Sequence, residues 1–202
     1  PTKYIAAGQS FFIKGSANGT AVFNNSMRVL GNNDNFYRMS DTQQSVLDIE
    51  KNRYWLDIYN EAGASKQVLV GYIETATNGL DSMFDGDLVD GAVISMYTTA
   101  ETKKLSIQGR ALPFNVEEQL PLGYKSTIAS SYTIRLNDFD GLFTSQNIYL
   151  EDKVLNVIHD LKASNYTFTT DIGTFEDRFV LRYTTSALGI DDTVFNSNSV
   201  IV

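Results

Sequence analysis

Apolar and polar residues alternate with a period of two along most of the chain. In Arg53-Tyr54-Trp55-Leu56-Asp57-Ile58-Tyr59, the residues Tyr54, Leu56 and Ile58 share one face and Trp55, Asp57 and Tyr59 the other, as a half-buried strand requires. Turn-forming residues follow at 60–65, and residues 66–73 return, so this region predicts a hairpin. The same pattern predicts strands at 10–13 and 20–23 around a glycine turn, then at 92–97, 104–110, 131–136, 147–150, 154–160, 166–169 and 177–184. About a dozen short strands separated by turn signals predict an all-β fold, an antiparallel β-sandwich of jelly-roll type built from two packed sheets. Helix is confined to single turns at 42–47, where Asp41 can cap, and at 137–142. The longest irregular stretch, 74–91, is where such a fold would carry a binding loop.

One β module is expected over residues 1–185. The tail at 186–202 differs: it begins as a linker and ends in Val200-Ile201-Val202, an apolar strand start with no partner in sequence, so the natural polypeptide is expected to continue.

Composition narrows the function. The chain has 202 residues with 24 acidic and 16 basic side chains, a net charge of -8. Phosphate backbones repel such a chain, which argues against nucleic-acid binding, and no apolar run approaches the roughly 20 residues of a membrane span. Cysteine is absent, which removes disulfides, thiolate metal sites and cysteine nucleophiles. Sixteen Asn, 18 Thr and 17 Ser, with 11 Tyr and 12 Phe, fit a surface or secreted β domain.

Six ordered segments carry a resemblance. They are Tyr4-Ile5-Ala6-Ala7-Gly8-Gln9-Ser10-Phe11-Phe12-Ile13-Lys14 with Phe23-Asn24-Asn25-Ser26-Met27-Arg28; Val68-Leu69-Val70-Gly71-Tyr72-Ile73 leading to Phe84-Asp85-Gly86-Asp87; and Ile107-Gln108-Gly109-Arg110-Ala111-Leu112-Pro113-Phe114 with Pro121-Leu122-Gly123-Tyr124. The most specific are Ile148-Tyr149-Leu150-Glu151-Asp152-Lys153, Asn165-Tyr166-Thr167-Phe168 and Gly173-Thr174-Phe175-Glu176-Asp177-Arg178-Phe179-Val180-Leu181-Arg182-Tyr183. Their order resembles the module found near the C-terminus of very large secreted proteins of Bacteroidota, directly before a type A sorting domain for type IX secretion. The resemblance implies an adhesin-like parent at the cell surface, connected with attachment or gliding. It also implies the type IX translocon and its shuttle proteins as partners during export, and a sorting domain beginning within 186–202. It implies no catalytic residues.

The residues themselves offer little catalysis. The single histidine, His159, cannot assemble a zinc site, and there is no nucleophile elbow or phosphate loop. Carboxylate pairs remain, at Glu117 and Glu118 or among Glu74, Asp81, Asp85, Asp87 and Asp90, and glycoside hydrolysis needs two acids at a suitable separation. The expectation is nonetheless a non-enzyme. Asp85, Asp87 and Asp90, interleaved with Gly86 and Gly91, form a candidate calcium loop, with Asn137-Asp138-Phe139-Asp140-Gly141 a weaker one; ordinary Asp-Gly turns explain both equally. Trp55 and Tyr59 are candidate ligand-binding residues: outward-facing, they would stack on the sugar rings of a surface polysaccharide, whereas an inward Trp55 would be a core anchor. Glu151-Asp152-Lys153 is expected to be a solvated turn, and Arg28 and Arg110 to anchor carboxylates or loop carbonyls at strand ends.

Overall fold

The computed structural model divides the chain into two units, Pro1–Ile49 and Glu50–Val202, and describes residues 17–29 of the first and 52–185 of the second. In the first unit, Asn24 caps a 3-10 turn at Asn25–Met27, its Oδ1 accepting from the Ser26 amide at 3.0 Å. Residues 20–23, expected as a strand, form none, because no partner strand lies beside them among the described residues. The expected strand at 10–13, the helical turn at 42–47 and the tail at 186–202 lie outside the described residues.

The second unit is a β body of eleven strands: β1 (Arg53–Tyr59), β2 (Ser65–Ile73), β3 (Gly86–Asp87), β4 (Ile94–Ala100), β5 (Lys103–Ala111), β6 (Gln119–Ser126), β7 (Ser130–Phe139), β8 (Tyr149–Asp152), β9 (Val157–Asp160), β10 (Tyr166–Thr170) and β11 (Gly173–Arg182). The helical turn expected at 137–142 forms later, as a 3-10 turn at Gly141–Thr144, because residues 137–139 continue β7. The β1–β2 hairpin has the predicted pairing, and its turn is closed by Asn60, whose Oδ1 accepts from Ala64 N at 2.9 Å while Gly63 supplies a φ of +87°.

The expected two-sheet sandwich is not what forms. All eleven strands belong to one sheet in the order β10-β7-β1-β2-β5-β4-β6-β11-β8-β9, with β3 added on β5. The sheet is mixed, because β2 and β5 run parallel. It curls until it is nearly closed into a barrel, and the buried side chains of β1, β7 and β10, with Val68, Val70 and Tyr72 of β2, are the even-numbered ones that point inside. Tyr54, Leu56, Ile58, Val68, Val70, Tyr72, Ile134 and Phe168 are thereby buried against Leu122, Tyr124, Phe179 and Leu181 from the other half. Closure is made by side chains: the ring of Phe168 on β10 packs edge-on 4.8 Å from Phe179 on β11 and 5.3 Å from Tyr124 on β6. Such aromatic pairs contribute about 0.5–1.5 kcal/mol each beyond their buried area. Curling also brings the two terminal strands together, which limits the exposed edge that an open sheet would leave. Gly123, opposite Tyr97 on β4, has no side chain because the Tyr97 ring occupies the place a Cβ would take.

The chain enters and leaves this body at the same end. Asn52 Oδ1 accepts from Leu142 N at 2.9 Å, Gln146 N donates to Leu142 O at 3.0 Å, and Gln146 Nε2 donates to Tyr183 O at 2.7 Å. One short segment thus bridges the residue before β1 and the residue after β11. The opposite end consists of the β1–β2, β6–β7, β8–β9 and β10–β11 turns.

Candidate functional site

Alternation places Arg53, Trp55, Asp57 and Tyr59 on the outer face of β1, each partly exposed, so Trp55 is not the core anchor that one reading of the sequence allowed. Four residues of extended chain put Trp55 and Tyr59 about 13 Å apart along the strand. Between them sits a planar polar cluster. Asp57 accepts from Gln67 Nε2 at 2.7 Å and from Arg135 through Nε at 3.0 Å and Nη2 at 2.8 Å. The Arg135 guanidinium lies 5.3 Å from the Tyr59 ring centroid, and that of Arg53 lies 4.8 Å from Trp55. Arg53 is held in turn by Asp140, which accepts from its Nε at 3.0 Å and from its backbone N at 2.9 Å. An open depression of about 380 Å³ lies against this cluster, lined by Asp57, Tyr59, Ser65, Lys66, Gln67 and Arg135. The face therefore combines two aromatic rings with fixed donors and acceptors, a composition suited to an uncharged or weakly acidic polyhydroxylated ligand.

Trp55 and Tyr59 were legible from β1 alone; their partners were not. Asp57 carries the same parity and lies between them, a signal that was available. Arg135 reaches the site only through the β1–β7 pairing, in which it stands opposite Asp57 across 78 residues of sequence.

The acidic loop is differently organised. Asp85 accepts from Asp81 N at 2.6 Å and from Gly109 N at 2.9 Å, which pins the loop to β5. Asp87 meets Lys103 at 3.4 Å, and Asp90 meets Lys125 at 2.7 Å. The bond from Lys125 and that from the Gly91 amide hold the Asp90 carboxyl down to about 2. The three carboxylates thus serve separate partners, and among the described residues no group of three or more His, Asp or Glu side chains is arranged to hold a metal ion. Asp140, from the second acidic cluster, belongs to Arg53. His159 lies on β9 with Nε2 at 2.8 Å from Ser164 O.

Two buried polar networks went unforeseen. Asp152, expected in a solvated turn, is fully buried on the inner face of β8 beside Leu150. It receives Tyr166 Oη at 2.9 Å, Arg178 Nη2 at 2.8 Å and the amide of Val154 at 2.9 Å. Arg178 is flanked by Phe168 and Phe179, with its charge 4.7 and 4.9 Å from their centroids. Burial pushes the Tyr166 hydroxyl up to about 12, with the Asp152 carboxylate adding to the shift. β11 is buried on both faces at its end: Phe179, Val180, Leu181 and Arg182 are all buried where the strand lies between β6 and β8.

At the other end of the barrel, Tyr183 Oη lies 2.8 Å from both Tyr54 Oη and Tyr72 Oη, and Tyr72 Oη donates to Glu118 Oε2 at 2.6 Å. Glu118 is paired with Arg110, whose Nη1 donates to Asn78 O at 3.0 Å. Arg110 thus anchors a carboxylate and a loop carbonyl at its strand end, and Glu118 is half of a shielded ion pair rather than of a pair of acids.

The chain matches, over residues 1–183, a family described as a domain of unknown function, DUF8693. It belongs to that family. No curated protein and no solved structure matches the chain. The family boundary at 183 coincides with the last buried tyrosine of the core, and it spans both units of the chain. Among the described residues no helix is long and apolar enough to cross a membrane.

Proposed function

We propose that this chain is a non-catalytic module of a large exported cell-surface protein, a type IX secretion substrate, which adheres to surface polysaccharide through the outer face of β1. The observation that carries the adhesive part is the pairing of Trp55 and Tyr59 on one exposed strand face around the Asp57, Gln67 and Arg135 cluster. Aromatic rings supply flat apolar contact for sugar faces, and side chains already held in position lose little entropy when they bind hydroxyls. The resemblance of the ordered motifs to those of Bacteroidota surface modules supports the export part. Asp85, Asp87 and Asp90 each have another partner, so the proposed contact involves no calcium.

Titration of the chain with purified surface polysaccharide, followed by Trp55 fluorescence, tests adhesion. Quenching is expected for the unmodified chain, at least tenfold weaker binding for Tyr59→Ala and for Arg135→Ala, and no change on adding calcium or a chelator. Unquenched emission at saturating polysaccharide would refute adhesion through this face. The export part is tested on cells: the parent polypeptide is expected at the cell surface, and to be lost from it when the type IX translocon is removed. Continued surface display without the translocon would count against that route.

A further inference from the structure

The end of the barrel opposite the point where the chain enters and leaves carries an exposed apolar rim. Val154 and Leu155 in the β8–β9 turn are 69% and 59% exposed, and Ile172 in the β10–β11 turn is 67% exposed. Ile128 and Val93 add to it. These turns are neighbours. Gly173 pairs with Ser126, which sets Ile172 beside the β6–β7 turn, and Thr127 N donates to Val93 O at 2.9 Å. Arg178 joins the remaining two, binding Asp152 below the β8–β9 turn and Thr169 O at 3.0 Å below the β10–β11 turn. An open depression of about 370 Å³ lies here, lined by Ala129, Ser130, Thr169, Thr170 and Asp171.

Aliphatic side chains gathered on neighbouring, well-formed turns point to an interaction surface, whereas the other exposed apolar side chains of this body, such as Met83, Ile107 and Val116, are not part of this rim. The charge around the rim selects the occupant. Lys125 is neutralised by Asp90, whereas Asp171 and Asp177 form no ion pair among the described residues and outweigh the single exposed Lys153. Like charge opposes a second copy of this chain, whose net charge is -8, and opposes an anionic bilayer as well. We propose that this pole is a docking surface for a protein partner that presents Lys or Arg within an apolar patch, the cation entering the depression beside Asp171 and the aliphatics covering Ile172, Leu155 and Val154. The proposal is independent of the polysaccharide reading, because it uses the far pole and none of the β1 outer face.

The test uses a synthetic amphipathic helix with leucines on one face and lysines on the other, a matched peptide with glutamates for lysines, and phosphatidylglycerol vesicles. The lysine peptide is expected to bind the unmodified chain in a salt-dependent manner, and the glutamate peptide and vesicles are not. The combined variant Val154→Ser, Leu155→Ser, Ile172→Ser is expected to weaken binding at least tenfold, and Asp171→Asn to weaken it several-fold and flatten its salt dependence. All four positions lie in turns, and circular dichroism checks the fold; should the combined variant unfold, Ile172→Ser and Asp171→Asn alone decide. Equal affinity of variant and unmodified chain overturns the proposal. So does preferential binding to vesicles, or a dimer of the chain that the serine substitutions abolish.

Discussion

Asp152→Ala is expected to destabilise the β body by about 3–5 kcal/mol, the range for removing one partner of a buried ion pair. The substitution strands the Arg178 guanidinium between Phe168 and Phe179, and it takes the acceptor from Tyr166 Oη and from the Val154 amide. Urea unfolding followed by far-ultraviolet circular dichroism gives the value directly, and a loss below 1 kcal/mol would contradict this role. The double variant Asp152→Leu, Arg178→Met is expected to recover part of the loss, because two apolar side chains leave no uncompensated charge. The same carboxylate gives stability a dependence on acid. Burial opposes ionisation of Asp152, but bonds from Arg178, Tyr166 and the Leu155 amide outweigh it and hold the group below the usual carboxylate range. A carboxylate with a depressed folded-state pKa stabilises fully above its unfolded value of about 3.9. Its contribution is lost as pH falls through the lower folded value, and the Asp152→Ala chain is expected to show a flatter acid limb.

Asp152 also shows where sequence reading reached its limit. Its parity with Leu150 marks an inward position, yet the run Glu151-Asp152-Lys153 has the composition of a turn, and local composition favoured the surface. What makes an inward aspartate tolerable is Arg178, 26 residues away, and β8–β11 pairing brings the two together. Most strands were legible because alternation is local: β1, β2, β5, β7 and β10 follow the predicted segments within a few residues, whereas β3 and β6 form where no strand was expected. The sheet's closure was not legible, because a sandwich and a curled single sheet demand the same alternation. What separates them is the path of backbone pairing, above all the parallel β2–β5 pair that carries the chain from one half of the barrel to the other. The outer β1 face was half readable for the same reason, with Trp55 and Tyr59 given by one strand and Arg135 by its neighbour.

Tyr183→Phe is expected to cost about 2–4 kcal/mol although it removes a single oxygen atom. That hydroxyl is shared by Tyr54 and Tyr72, so two bonds of about 1 kcal/mol each are lost, and the fully buried Tyr54 hydroxyl is left without the one partner it has among the described residues. Tyr72 retains Glu118. A double-mutant cycle separates bond loss from the stranded group: Tyr54→Phe combined with Tyr183→Phe is expected to cost clearly less than the sum of the single changes, since no orphaned hydroxyl then remains at that position. Strict additivity would show that the hydroxyls act independently. Alkali provides a second reading of the same network. Burial raises the ionisation of Tyr54 and Tyr183 well above the ordinary tyrosine range, with neighbouring hydroxyls and Glu118 contributing, and Tyr72 shifts in the same direction. A folded-state pKa raised above the unfolded value of about 10 leaves stability intact below pH 10 and removes it as pH climbs toward the folded value. Ultraviolet titration is therefore expected to show three tyrosines that ionise only as the barrel opens. Because Tyr183 closes the core where the chain leaves the β body and Tyr54 where it enters, the network ties the two connections of that body directly to each other, and its loss is expected to loosen that end before the far pole.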